Sequence, residues 1–178
     1  MIAKILLGIG LVISIVLVLA ALQPDDFVLK RSVNIEASPE EIFPLVNDFH
    51  NWEGWSPWAK LDPNMKTVYE GPESGVGASY SWIGDSKVGE GKMLIKESTP
   101  PQSVVIQLDF IEPMKASNLT DFGFKPEGTG TQVTWTMTGK APFTSKIVYL
   151  FVSLEKLVGP DFEKGLSQLK VLAESRKK

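Results

Sequence analysis

SPEEIFPLVNDFHNWEGWSPW, residues 38–58, is the stretch on which the fold turns. It opens as a helix start. Ser38 stands at the N-cap, Pro39 at the first helical position and Glu41 three residues after the cap, the pattern of a capping box. Ile42, Leu45, Val46 and Phe49 then recur at helical spacing. Pro44 has no N–H to donate, so it is expected to end or kink this helix early. Residues 51–64 bring Trp52, Trp55 and Trp58, two prolines and a turn signal at Asp62-Pro63-Asn64, which predicts a short second helix and a structured loop. So much aromatic surface on so short a segment needs a broad apolar partner.

The flanks supply one. Upstream, residues 27–36 are rich in β-branched side chains and read as a strand. Downstream the period changes to two. Strands are expected at 66–70, 77–83, 88–98, 103–111, 115–126 and 130–140, separated by turn signals at Gly71-Pro72, Gly84-Asp85, Pro100-Pro101, Glu112-Pro113 and Gly128-Thr129-Gly130. Connections this short force antiparallel pairing, because a parallel crossover needs a dozen or more residues. Helical spacing returns at Ile147, Leu150, Phe151, Leu154 and Val158, pauses at Gly159-Pro160, and resumes at Phe162, Leu166, Leu169 and Ala173. This predicts one long C-terminal helix, interrupted or kinked at Pro160, with its stripe buried on the sheet. Arg176-Lys177-Lys178 reads as a solvated basic end. The fold class is therefore α+β, with seven antiparallel strands and a long C-terminal helix.

Residues 1–22 are different in kind. Their one charge is Lys4, and Ile5 to Leu22 is uncharged throughout, approaching the roughly 20 residues that cross a hydrocarbon core. The expectation is a transmembrane helix at 1–22, with an uncleaved or cleaved signal segment as the competing reading because Val18-Leu19-Ala20 resembles a cleavage site. Residues 23–26 form a tether of at most about 14 Å, and the domain follows at 27–178. Lys4 on one flank balances Lys30 and Arg31 on the other, with a slight lean to a single-pass membrane protein whose domain is exported.

Composition removes several classes of function. The 178 residues carry 18 basic and 21 acidic side chains, a net charge of −3, so the basic field needed for nucleic acid is missing. There is no cysteine, which removes disulfides, thiolate nucleophiles and Cys-ligated zinc. A single histidine, His50, argues against a histidine metal cluster or a Ser-His-Asp triad. Arg31 and Arg176 are the only arginines, so the fork that grips anionic ligands is scarce. No metal or organic cofactor is implied.

The local sequences SPEEIF (38–43), NDFHNWEGWSPW (47–58), GPESGVGASYSW (71–82), TQVTWTM (131–137) and VGPDFEKGL (158–166), in this element order, resemble the START-like or SRPBCC superfamily, and within it the bacterial polyketide cyclase/dehydrase type. The resemblance spans about residues 28–173. It implies a helix-grip fold, a curved antiparallel sheet wrapped around the C-terminal helix and enclosing a cavity for hydrophobic small molecules. It implies no single reaction, since a shared fold hosts many activities.

Strand parity then selects candidate cavity residues. Trp135 and Met137 share a face with Val133; Tyr80 pairs with Trp82; Phe122 and Phe124 continue the row Ala116, Asn118, Thr120; Phe110 continues Val104, Ile106, Leu108. With Trp52, Trp55 and Trp58, spaced to share one face of a helical turn, these either line a ligand cavity or pack as ordinary core. Glu97, Asp109 and Asp121 fall on the opposite face and are expected in water, so no catalytic residue is assigned. Glu90 and Lys92 read as a surface pair, and His50 as a surface side chain. The glycines of GPESGVG fit neither phosphate-binding pattern, and Asn118-Leu119-Thr120 matches a glycosylation acceptor but lies within a strand. The function expected is membrane-anchored binding of a hydrophobic small molecule or lipid. The alternatives are a cyclase/dehydrase-like enzyme and an interaction module for a membrane protein, and oligomeric state is not specified.

Overall fold

The computed structural model describes residues 1–176, so Lys177 and Lys178 of the basic end lie outside the described residues. Helix α1 (Ile2–Ala21) leads into β1 (Asp26–Ile35), α2 (Pro39–Asn47) and a 3-10 helix at Phe49–Gly54. A meander follows: β2 (Lys66–Glu70), β3 (Ser79–Ile83), β4 (Glu90–Thr99), β5 (Ser103–Glu112), β6 (Ala116–Glu127) and β7 (Gly130–Lys140). Helices α3 (Phe143–Tyr149) and α4 (Leu154–Ser175) close the chain. All seven strands form one antiparallel sheet in the order β1-β7-β6-β5-β4-β3-β2. It is the curved helix-grip sheet, and every strand expected from the period-two pattern is present.

The inner face follows the parity read from the sequence. Val133, Trp135 and Met137 of β7, Phe122 and Phe124 of β6, and Val104 and Ile106 of β5 are all buried. α4 crosses β1 and β7, burying Phe162, Leu166, Leu169 and Ala173. Arg31 clamps this crossing. Its Nε donates to Glu163 at 2.8 Å and its Nη2 pairs with Glu155 at 2.6 Å. Gly159 leaves room for this guanidinium, which a Cβ there would overlap.

Two helix boundaries differ from expectation. Glu41 accepts the Ser38 N–H at 2.7 Å, as the capping pattern requires, but α2 runs through Pro44 to Asn47. A proline forfeits only the donor bond to the carbonyl four residues back, and the burial of Ile42, Phe43, Leu45 and Val46 outweighs that loss. The C-terminal helix is likewise continuous through Pro160. The interruption falls instead at residues 150–153, where Ser153 accepts the Lys156 and Leu157 N–H groups and starts α4. Phe151, read as part of the buried stripe, is therefore 74% exposed. Lys92 also differs, pairing with Glu70 at 3.3 Å instead of Glu90.

Helix α1 stands clear of the domain along nearly its whole length, with Ala20 alone buried where it packs on α3. Its Ser14 hydroxyl donates to the Gly10 carbonyl at 2.9 Å, so even the polar side chain is satisfied within the helix. The tether is not slack. Lys146, buried on α3, donates to the Gln23 carbonyl at 3.0 Å and forms an ion pair with Asp25, while the Ala141 N–H bonds the Asp25 carbonyl at 2.7 Å. Hydrogen bonding and charge from Lys146 lower the pKa of the Asp25 carboxyl from its ordinary 3.8. A lowered acid pKa stabilises the latch fully above the unfolded value and releases it as pH falls through the folded one. Amide exchange at residues 22–26, relative to the intrinsic chemical rate, is thus expected to stay protected at neutral pH and to open below about pH 4. Asp25→Asn should flatten that acid step; an unchanged step would show that another group holds the tether.

Candidate functional site

The tryptophan loop is placed by the end of α2. The Trp52 and Trp55 indoles donate to the Val46 and Leu45 carbonyls, both at 2.9 Å, satisfying acceptors that the last helical turn leaves open. Both rings thereby face the sheet. Trp55 meets Phe122 and Trp135 edge-on, and Trp58 meets Trp135 and Phe162 edge-on. Trp135 stacks on Phe162 at 4.0 Å and on Phe122 at 4.8 Å, which makes it the hub of this group. Phe124 packs against Phe43 of α2.

A second aromatic group lies further along the sheet. Tyr80 stacks on Trp82, Trp82 meets Phe110 edge-on, and Tyr69 leans on Tyr80. Phe49 joins the two groups through Trp52 and Tyr80. Trp52, Trp55, Trp82, Phe122, Phe124, Trp135 and Met137 are buried, and Trp58, Tyr80 and Phe110 half-buried. All ten candidate residues thus belong to one continuous apolar interior. Burial, with Tyr69 and Glu53 nearby, pushes the Tyr80 hydroxyl up to about 12, so at neutral pH it is a neutral donor.

Between these groups stands a polar feature whose residues the sequence marked only as a glycosylation pattern and as members of an inward row. Asn118 and Thr120 are 5% and 3% exposed on the inner face of β6. Among the described residues, the Asn118 Oδ1, the Thr120 Oγ1 and the Trp135 Nε1 are buried without a hydrogen-bond partner. The Asn118 amide nitrogen meets only the Met137 sulfur, at 3.9 Å, and its oxygen occupies the space that Gly139 leaves by lacking a side chain. In register, Asn118 lies in the row Gly139, Asn118, Leu108, Met93, Tyr80; Thr120 lies between Met137 and Ile106. The signal available in the sequence was two polar residues on an inward parity in an otherwise apolar row. Inward burial also removes the Asn118 glycosylation site.

The outer face holds the carboxylates. Asp109 accepts from Ser117 at 2.6 Å and from Gln107 at 3.0 Å, and Glu97 and Asp121 are exposed. His50 is half in solvent, with Nδ1 2.8 Å from Asp48 and its ring stacked on Tyr69 at 4.2 Å. It borders a surface cleft of about 250 Å³ with Glu70, Glu73 and Ser79. Among the described residues no group of three or more His, Cys, Asp or Glu is placed to hold a metal.

Solved structures share this architecture. The Aha1 dimer from Colwellia psychrerythraea superposes with a TM-score of 0.60 at 17% identity, over 85% of this chain and 99% of that one. A protein of unknown function from Staphylococcus aureus gives 0.63 at 10% identity, over 85% and 95%. Ara h 8.0201 gives 0.59 at 12% identity, over 85% and 99%. At such identities the likeness shows the fold alone. No match was found among curated proteins. The family model described as polyketide cyclase/dehydrase and lipid transport matches residues 26–174, the whole of the sheet and nearly all of α4. With the helix-grip fold already established, that match makes this chain a member of the polyketide cyclase/dehydrase and lipid transport family.

Proposed function

We propose that the domain binds a hydrophobic small molecule or lipid bearing one neutral polar group, a hydroxyl or carbonyl, with that group at Asn118 and Thr120. The observation that carries this reading is the pair of buried, unpartnered oxygens on an inner face that is otherwise apolar and aromatic. An orphaned buried polar group costs about 1–3 kcal/mol, so its presence needs a compensating partner. The neighbourhood favours a neutral partner: Arg31 is engaged by Glu155 and Glu163, and Asp109 and Asp121 point away. Met137 adjoins the pair, and Tyr80, Trp82 and Phe110 lie further along the same inner face; these four are assigned to the ligand. Trp52, Trp55, Trp58, Phe122, Phe124 and Trp135 form the packed floor beyond it. In this reading α1 is a single-pass anchor that holds the domain, on the exported side, beside its lipophilic ligand.

The test combines native mass spectrometry of the detergent-free domain with the variants Asn118→Leu and Thr120→Val. A co-purified lipophilic mass is expected on the parent protein. Each variant should lose at least tenfold in ligand affinity yet gain about 1 kcal/mol of ligand-free stability, because an apolar replacement removes the unsatisfied atom. Unchanged retention of the same ligand in both variants would sink the assignment.

A further inference from the structure

We propose that α3 and the turn at residues 150–153 sit in the headgroup region of a lipid bilayer, beside the end of α1. Residues 141–154, APFTSKIVYLFVSL, contain one charged side chain, Lys146. That charge is turned inward and paired with Asp25, so the segment presents no formal charge to its surroundings. What it does present is apolar: Phe143, Val148, Phe151 and Val152 are exposed within ten residues, and Met114 of the β5–β6 turn joins them by contact with Thr144. Single exposed apolar residues are normal, but a contiguous charge-free patch marks an interaction surface.

The occupant follows from what stands next to it. α1 is 20 residues long, about 30 Å, the thickness of a hydrocarbon core, and its surface is uncovered by protein. Its last turn packs on α3, and Lys146 ties Gln23 and Asp25 to the same helix, so the patch cannot drift away from the end of α1. An α1 that spans a bilayer therefore places the patch at the depth where apolar and aromatic side chains are favoured. The inference rests on the anchor reading of α1.

The absence of cysteine makes the test direct. Full-length protein in phosphatidylcholine nanodiscs carries a nitroxide at Ile13→Cys, Phe151→Cys or Val171→Cys, and oxygen and nickel-chelate accessibilities give depth. Val171 is exposed on α4 about 26 Å along the axis from its start and reports water. The expected order is Ile13 deepest, Phe151 at interfacial depth with a several-fold higher oxygen-to-nickel ratio than Val171, and Val171 aqueous. An aqueous Phe151 site with a deep Ile13 site overturns the docking while α1 remains an anchor. Aqueous signals at all three sites overturn the anchor, and the docking with it.

Discussion

Trp135→Ala is expected to lower the stability of the domain by about 3–5 kcal/mol, the cost of truncating a fully packed aromatic side chain. Its ring is stacked at 4.0 Å and 4.8 Å on Phe162 and Phe122 and met edge-on by Trp55 and Trp58, so α4, β6 and the tryptophan loop lose their common neighbour. Removing the unpartnered indole N–H returns about 1 kcal/mol of this cost, which leaves the net loss toward the lower end of that range. Urea unfolding of the detergent-solubilised protein reads the change as a lower midpoint at unchanged slope. The same experiment separates the two uses of the tryptophans. A cost below about 1 kcal/mol would mean that the indole borders a space the native protein keeps open, and would move it from the packed floor to the ligand wall.

Gly91→Ala is expected to cost about 1–3 kcal/mol, at the upper end for a single added methyl. Gly91 faces inward on β4 opposite Trp82, and a Cβ there would overlap the indole ring and lie 2.7 Å from the Asp109 carbonyl. The backbone cannot yield, since β4 is paired on both sides, so the ring must leave. Leaving breaks the Trp82 hydrogen bond to the Val88 carbonyl at 3.1 Å and uncouples Tyr80 and Phe110 from their shared neighbour. A double-mutant cycle with Trp82→Leu checks the cause: the two changes together should cost less than their sum. Additive costs would place the strain on the Asp109 carbonyl instead.

These results bear on function because the two aromatic groups do different things. The group around Trp135 joins α4, the sheet and the tryptophan loop into one unit. The group around Trp82 lies further along the same inner face as Asn118 and Thr120, where the protein leaves hydrogen-bonding capacity unused. In the proposed reading a neutral, lipophilic partner with one polar group suits that surface, and the charge-free segment beside the apolar helix α1 suits contact with a bilayer.

Much of this is legible in the sequence alone. The capping residues Ser38 and Glu41 act within a few residues of one another and appear as read, whereas the short helix ends at Gly54, so that Trp58 lies beyond the turn expected to carry all three tryptophans. Strand parity placed Val133, Trp135 and Met137 inward and Asp109 and Asp121 outward, because period two leaves no other arrangement once one face is buried. Pro44 and Pro160 misled, since a proline's local penalty is a few kcal/mol and the buried face of its helix exceeds it. The true break before Ser153 carried a start signal weaker than the Gly159-Pro160 pair. Lys146 gave no sign of being buried, as its partners Gln23 and Asp25 are more than a hundred residues away.

The sequence by itself determined the element order, the antiparallel meander, the inward face of β3, β5, β6 and β7 and the separate character of residues 1–22. Each of these depends on periodicity, turn chemistry or length, which neighbouring residues set among themselves. The tertiary structure alone decided that Asn118 and Thr120 lack partners, that Gly139 makes room for the Asn118 oxygen, and that Lys146 binds the tether to α3. Those facts depend on which distant residue arrives opposite, and hydrogen-bond satisfaction and burial are properties of the assembled pair, not of either residue in its own segment.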